Sequence, residues 1–205
     1  MKVLIEAHGL EKLLGPMLKQ APFVAQKAIN DTLFDARKDQ LRQMKTHIDG
    51  GPTSWTKRGL RYDKAKKNYL QGTLYFHANR PYMKTIIEGG TVRPKKEKLV
   101  APVKGKVRLN KYGNLTKNKV KSLKNKPNYF MGKPGGSRDD SKYGLYKIKG
   151  RGKNKKIERI IYANLKSRKQ RQTYRGPDYA QRFMTKRLQF NIMRAAQRAI
   201  DTARY

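Results

Sequence analysis

The chain has 205 residues, which is enough for one domain with a single core, with or without a long insertion. Its 50 Lys and Arg residues face 14 Asp and Glu residues, and the resulting net charge of +36 repels itself and attracts polyanions. The absence of cysteine excludes disulfides and thiolate chemistry, and no apolar run approaches the roughly 18 residues of a membrane span.

The N-terminal segment predicts a strand and a short helical stretch. Met1–Ile5 has no apolar core or cleavage site behind it, so we expect no secretory signal and synthesis in the cytosol. The apolar-rich run Lys2–Ala7 predicts an edge strand that ends at Gly9. Apolar residues over Leu10–Leu18 recur at helical spacing around Gly15-Pro16, which predicts a short or broken helix.

A longer helix is predicted from Pro22, which suits a first helical turn, to Met44 or Ile48. Gly50-Gly51-Pro52 ends it. Acidic residues and Lys38 lie outside its apolar stripe. The stripe consists of Val24, Ala25, Ala28, Ile29, Leu33, Ala36 and Leu41, and the residues outside it are Asp31, Asp35, Lys38 and Asp39.

Two shorter elements follow. Tyr69–His77 alternates apolar and polar residues and predicts a strand, with Leu70, Leu74 and Phe76 on one face. Pro81–Glu88 predicts one or two helical turns closed by Gly89-Gly90.

The middle of the chain is far more basic than its ends. Arg93–Arg175 contains 28 basic and 4 acidic residues, a net charge of +24. Its predicted elements are strands at Lys98–Val103 and Lys106–Leu109, a short basic helix at Lys117–Lys126, a loop at Gly132–Asp140, and a hairpin of Tyr143–Lys149 and Ile157–Tyr162 joined by Gly150–Lys156. This composition indicates a β-rich insertion that faces a polyanion.

The C-terminal segment predicts one long helix that starts at Pro177 or Asp178 and runs to about Arg204. Its predicted buried stripe is Phe183, Phe190, Met193 and Ile200, with Ala196 and Ala203. We therefore expect an α+β fold, in which long N-terminal and C-terminal helices pack together on a small antiparallel sheet. The expected organisation is a scaffold from 1–92 and 176–205 around a basic insertion at 93–175.

No residue pattern indicates an enzyme. His8, His47 and His77 have neither metal-ligand spacing nor paired carboxylates nearby. Asp139-Asp140 is best interpreted as a solvated turn, and the Gly-rich stretch Gly132–Ser137 lacks the order of a phosphate-binding loop. We expect no catalysis, no cofactor, no metal and no small-molecule substrate.

The basic tracts are the strongest functional signal, because such self-repulsion calls for a counter-charge. Lysines in Gly- and Asn-rich connections suit diffuse contact with phosphates and do not read bases. The candidate polyanion contacts are Lys117, Lys119, Lys121, Lys124, Lys126, Lys153, Lys155, Lys156, Arg168, Lys169 and Arg171. The interleaved aromatic residues fit strand packing as well as base stacking, so they are assigned no such role. Trp55 fits either a partly buried anchor or a contact between subunits.

Several stretches at the two ends of the chain form a recognisable set. The opening combines a short strand, GLEKLL at 9–14 and a helix that begins PFVAQKAINDT at 22–32. PTSWTKRG at 52–59, the turn Glu88-Gly89-Gly90 and the closing helix over Phe183–Ala203 follow. Together they resemble the bacteriophage minor tail protein Z and tail-completion family, from which the long Lys-rich middle departs.

The resemblance implies a virion protein without enzymatic activity that completes the tail or the head–tail junction. It implies a homo-oligomeric ring around the DNA passage, with other tail or neck proteins and packaged DNA as partners and no contact with a membrane. A free, sequence-independent nucleic-acid-binding protein of the ribosome- or nucleoid-associated type is the alternative. A ring protein stays oligomeric in high salt, whereas a free polyanion binder dissociates and remains monomeric.

Overall fold

The computed structural model describes residues 1–6, 20–94 and 99–202. The helices are α1 (Ala21–His47), α2 (Ser54–Gly59), α3 (Tyr82–Glu88), α4 (Lys119–Lys124) and α5 (Gly176–Thr202). The strands are β1 (Lys2–Glu6), β2 (Leu60–Asp63), β3 (Gln71–Phe76), β4 (Gly90–Val92), β5 (Leu99–Pro102), β6 (Tyr129–Gly132), β7 (Gly144–Lys149), β8 (Lys156–Leu165) and β9 (Arg168–Gln170). The predicted α+β class is confirmed.

The chain divides into two compact units. The terminal unit combines Met1–Gly89 with Gln172–Tyr205, and the basic unit is Gly90–Arg171. The basic unit thus begins and ends slightly before the predicted insertion at 93–175. It contains 27 Lys and Arg residues and 4 Asp and Glu residues, a net charge of +23. Most of the chain's excess charge therefore belongs to one unit.

Helix α1 follows the predicted pattern. A proline occupies its first turn, and it ends at His47 ahead of Gly50 and Gly51, whose φ angles are 72° and 71°. The predicted stripe from Val24 to Ala36 is buried, and Leu41 packs against the edge of the core. The predicted broken helix over Leu10–Leu18 lies outside the described residues.

A three-stranded antiparallel sheet in the order β1-β3-β2 packs against α1. β1 is an edge strand, as predicted, and the predicted strand at Tyr69–His77 is confirmed as β3, which lies in the centre of the sheet. Gly72 of β3 permits this packing, because a Cβ at that position would overlap Leu33 Cδ1 and lie 3.0 Å from Ile29 Cγ2. β2 was not predicted, since four residues give too little alternation to recognise.

The predicted buried stripe of α5 is wrong for Phe190, Met193 and Ile200, whereas its member Ala196 packs partly buried against the core. Phe190, Met193 and Ile200 are 49%, 69% and 44% exposed, while Phe183 is only partly buried. The buried residues of α5 are Gly176, Ala180, Met184, Asn191, Ala195 and Ala199. The reason is the close packing of α5 on α1, where alanines of both helices form the contact and larger side chains do not fit. The predicted end at Arg204 and the stripe residue Ala203 lie outside the described residues.

Polar contacts border the contact between α1 and α5. Arg187 Nε donates to Asp35 Oδ2 at 2.8 Å, and Arg194 Nη2 donates to Asp31 Oδ2 at 3.1 Å. The two aspartates were predicted to lie outside the apolar stripe of α1. They lie beside it and hold α5 in register. The predicted packing of the two long helices is thereby confirmed.

The basic unit contains two antiparallel sheets, a four-stranded one in the order β5-β8-β7-β6 and the ribbon β4-β9. The predicted hairpin is confirmed as β7 and β8. The predicted basic helix is confirmed as α4, whose Leu123 packs on Leu145 and Ile161 of the sheet. The four-stranded sheet thus has its core on the side of α4.

The predicted strand at Lys106–Leu109 is wrong. Gly105, with a φ angle of 75°, makes a turn directly after β5, and Lys106 N donates to Val103 O at 3.1 Å. Val107 then packs into the small core and Lys106 forms an ion pair with Glu158. The alternation of apolar and polar residues in this stretch therefore reflects the inward position of Val107 after a turn and does not reflect a strand.

Candidate nucleic-acid interface

The candidate cations lie in three places of the basic unit. Those near α4 are Lys117, Lys119, Lys121, Lys124 and Lys126; those in the turn between β7 and β8 are Lys153, Lys155 and Lys156; those at β9 are Arg168, Lys169 and Arg171. All are exposed except Lys119, which is half-buried. The structure therefore leaves these charges on the surface of one unit but distributes them over three segments.

Around α4 the helical period separates cations from apolar residues. Leu123 is buried and Val120 partly buried against the sheet, so the lysines between and beside them project outward. Lys121 and Lys124 are exposed on this short helix.

The turn between β7 and β8 holds the second group. Gly150 and Gly152 have φ angles of 79° and 55°, which let the chain reverse tightly there. Lys153 and Lys155 project from the turn, and Lys156 begins β8.

In the third group, the register of the ribbon pairs Arg168 with Val92 and Lys169 with Thr91.

Ion pairs in the basic unit use other cations. Glu158 accepts from both Lys106 and Lys149, the latter at 2.7 Å, and Lys133 lies 2.7 Å from Asp140. Hydrogen bonds from the two lysines lower the pKa of Glu158 to about 2. Within the described residues, none of the eleven candidate cations forms an ion pair. These charges are therefore not neutralised by a carboxylate of the described residues.

The loop after β6 is stabilised by an ion pair and hydrogen bonds between its own residues. Lys133 Nζ donates to Arg138 O at 3.2 Å as well as pairing with Asp140. Asp139 accepts from both the backbone N and the Oγ of Ser141, and these hydrogen bonds lower the pKa of Asp139. The predicted solvated turn is confirmed.

Histidines and carboxylates form no metal site in the part of the chain that the structure describes. His47 Nε2 lies 3.2 Å from Tyr179 Oη, and His77 Nδ1 lies 2.7 Å from Asn79 Oδ1. Both histidines are engaged with uncharged neighbours. His8 lies outside the described residues.

A second candidate surface lies on the terminal unit. Phe190 projects from α5 with the guanidinium carbons of Arg187 and Arg194 at 4.5 Å and 5.8 Å from its ring centroid. Met193 and Ile200 continue the same side of the helix. Helical spacing groups these apolar residues into one stripe, but the sequence predicts that this stripe is buried in the core.

α1 carries a comparable apolar side. Phe23 and Phe34 are 42% and 45% exposed and border a shallow groove with Asn30 and Tyr62. Their spacing of three helical turns puts both rings on one side of α1.

Trp55 of α2 is 46% exposed, and its indole stacks on Tyr82 with the ring centroids 5.4 Å apart. The buried Arg80 covers the ring with its guanidinium carbon at 3.7 Å from the centroid, and its Nε donates to Trp55 O at 3.1 Å. The predicted partly buried anchor agrees with these contacts, and a contact between subunits stays a prediction.

No helix in the described ranges is both long and apolar enough to cross a membrane. Comparisons of the chain with protein-family models, with curated proteins and with solved structures gave no match.

Proposed function

We propose that this chain is a structural, non-catalytic protein of a bacteriophage virion, located in the tail or the head–tail junction. In this proposal, copies of the chain form a ring around the DNA passage and contact DNA without reading its sequence. The observation that carries it is that each unit exposes a different surface, an apolar one on the terminal unit and a basic one on the basic unit.

The apolar surface supports association of copies. Phe190, Met193 and Ile200 expose large apolar side chains along one helix, and such groups on a soluble chain mark contact sites. The helix that carries them is fixed by the ion pairs of Arg187 and Arg194, so the surface is preformed. A preformed apolar surface loses little conformational entropy when a neighbouring copy covers it.

The basic surface supports contact with DNA. Its net charge of +23 is concentrated in 90–171, and the candidate lysines have no acidic partners in the described ranges. Repeating this charge around a ring multiplies the field, so assembly needs a polyanion or acidic neighbours. Lysine side chains on turns and a short helix suit phosphate contacts that do not depend on base sequence.

The position in the virion is supported by the resemblance of the two chain ends to the minor tail protein Z and tail-completion family. A free nucleic-acid-binding protein remains the second candidate, because the unpaired cations alone would suffice for it.

Light scattering on nuclease-treated protein in low and high salt tests the proposal. We expect a defined oligomer that persists in high salt, because apolar contacts hold the copies together. A monomer at every protein concentration and salt concentration would contradict the ring and favour the free binder.

Mass spectrometry of purified phage particles tests the location. We expect this chain in a small fixed number of copies per particle. Its absence from particles would contradict a virion function. Incubation of the protein with DNA, RNA or peptidoglycan, with and without divalent metal ions, is expected to release no product.

A further inference from the structure

The four-stranded sheet of the basic unit has a second face, opposite its core. On the core face, Leu145 and Ile161 pack against α4. The strand register places Phe130 of β6, Tyr146 of β7 and Arg159 of β8 side by side on the opposite face, where Tyr162 also lies. We name these four residues the ring face. α4 packs on the other side of the sheet. The turn Asp140–Lys142 lies beside the ring face, because Tyr146 Oη donates to Lys142 O and Asn164 Nδ2 donates to Asp140 O at 3.2 Å.

The side chains of the ring face are stacked on one another. Phe130 and Tyr146 have ring centroids 5.3 Å apart at an interplanar angle of 15°. The guanidinium carbon of Arg159 lies 5.3 Å from the Tyr146 centroid and 4.7 Å from that of Tyr162. Arg159 Nε also donates to Tyr146 Oη at 2.8 Å. The cation is therefore held in a fixed position between aromatic rings.

Accessibility differs among these residues. Tyr146 is only 4% exposed and forms the base of the arrangement. Phe130, Arg159 and Tyr162 are half-buried, so part of each residue is open to solvent. The accessible elements are thus the two aromatic residues Phe130 and Tyr162 and the cation of Arg159.

The acidic residue next to Arg159 in the sequence is Glu158. The adjacent Glu158 points to the core face and is occupied by Lys106 and Lys149. In the described ranges Arg159 forms no ion pair. A charged group that is held by rings and lacks a carboxylate is suited to an anion from outside the chain.

We infer that the ring face is a stacking platform for the unpaired bases of single-stranded nucleic acid. Bases stack on aromatic rings and on guanidinium planes whatever their identity, and phosphates provide the counter-charge for Arg159 and the +23 of the unit. A duplex hides the flat faces of its bases within its own stack, so it cannot use the rings in this way. The inference rests on the proposed contact with nucleic acid and assigns to it a strand preference.

Fluorescence anisotropy of the full chain with a labelled oligothymidylate and with a labelled duplex of equal length tests this platform. Replacing Phe130→Leu together with Tyr162→Leu keeps apolar side chains but removes the rings. We expect single-strand affinity to fall at least about five-fold, with duplex affinity unchanged. The salt dependence of single-strand binding should keep its slope, because the substitutions leave every phosphate-binding cation in place. Tyr112→Leu, which removes a ring beside Lys111 in a loop, is the matched control and should change neither affinity.

Three other outcomes would overturn the inference, and they differ in what they mean for the proposed contact with DNA. Unchanged single-strand affinity, or an equal loss for both nucleic acids, shows that the rings do not stack on bases, while the proposed DNA contact stands. Failure of the unaltered chain to bind either nucleic acid overturns both. Polyglutamate is a third ligand. If the double variant loses as much affinity for polyglutamate as for the oligothymidylate, the ring face is assigned to an acidic protein.

A second measurement covers a variant that does not fold. Ultraviolet cross-linking of the unaltered chain to an oligonucleotide containing bromouracil should modify peptides with Phe130 or Tyr162. Cross-links confined to α4, to the turn between β7 and β8 or to β9 would overturn the platform.

Discussion

Asn191 Nδ2 donates a hydrogen bond to Thr32 Oγ1 at 2.9 Å, and both side chains are completely buried between α5 and α1. Thr32 Oγ1 in turn donates to Ala28 O at 2.7 Å. Asn191 Oδ1 has no hydrogen-bond partner in the described part of the chain. At the interface between the two helices, the Thr32 hydroxyl therefore both donates and accepts a hydrogen bond, whereas the Asn191 amide donates one and its oxygen accepts none among the described residues.

This difference between the two side chains predicts different effects of their substitution on the free energy of unfolding. Thr32→Val removes the acceptor of a buried amide and should lower the free energy of unfolding by about 1–3 kcal/mol. Asn191→Leu removes the unpaired oxygen and leaves Thr32 bonded to Ala28, so it should be neutral or stabilising. Denaturant unfolding of both variants and the double variant gives the comparison. A loss with Asn191→Leu as large as with Thr32→Val would contradict the assignment.

Two methionines on α5 separate its buried and exposed sides. Met184 is 2% exposed and Met193 is 69% exposed. Met184→Ala should lower the free energy of unfolding by about 2–5 kcal/mol, because it leaves a cavity. Met193→Ala should change it by less than about 0.5 kcal/mol. Equal losses in denaturant unfolding would show that α5 buries a different side from the one described above.

The contrast between α1 and α5 explains how far sequence reasoning reaches. In α1 the predicted stripe that contains Ile29 and Leu33 is buried, although Phe23 and Phe34 are exposed elsewhere on the helix, so periodicity identified the core side. In α5 two apolar sides compete, and the side with Phe190 is the more apolar but the less buried. Only the packing of alanines between the helices decides which side faces inward, and that packing joins segments distant in sequence.

The candidate interface shows the same limit. Composition located the basic segment, and the hairpin and α4 were recognisable from local patterns. The ring face was not recognisable, because it depends on the register between β6, β7 and β8 and on a bulge that brings Arg159 opposite Tyr146. β6 has only four residues, and the period of such a short strand is ambiguous.

Glu158 makes the stability of the basic unit depend on pH. Its pKa is lowered from 4.5 to about 2 by the two lysines, so the folded unit binds this proton more weakly than the unfolded chain does. The contribution is present above about pH 4.5 and is lost as the pH falls towards about 2. Glu158→Gln should therefore lower the melting temperature at neutral pH and remove this part of the acid dependence.

Melting curves between neutral pH and pH 2 check the expectation, and the carbon chemical shift of the Glu158 carboxyl gives its pKa directly. Glu88→Gln is the matched control, since Glu88 is exposed and lies 3.9 Å from Lys84. An identical acid dependence of Glu158→Gln and the unaltered chain would contradict the role of this carboxylate.

The exposed side of α5 is expected to hold copies together. Replacing Phe190, Met193 and Ile200 with serine should reduce the mass in light scattering to that of a monomer. Melting should change little, because these side chains are already 49%, 69% and 44% exposed. Val100→Ser with Ile157→Ser removes comparably exposed apolar groups from the basic unit and should leave the oligomer intact. An unchanged mass in the α5 variant would exclude this side as the interface between copies.

The lysines near α4 are expected to bind phosphates. Replacing Lys117, Lys119, Lys121, Lys124 and Lys126 with glutamine should weaken duplex binding and reduce the slope of log affinity against log salt by about 0.9 for each phosphate that is no longer neutralised. The fold should be retained, because Leu123 and Val120 pack the helix on the sheet and the lysines form no ion pair among the described residues.

A second variant separates local phosphate binding from the general field of a chain with a net charge of +36. Glutamine at Lys45, Arg58, Lys64, Lys66 and Lys67 removes the same charge from exposed positions of the terminal unit. If the lysines near α4 touch DNA, their variant loses clearly more affinity and salt slope than this control. Equal losses would mean that α4 contributes only to the overall field. Unchanged affinity and slope in the α4 variant would instead assign these lysines to an acidic protein partner.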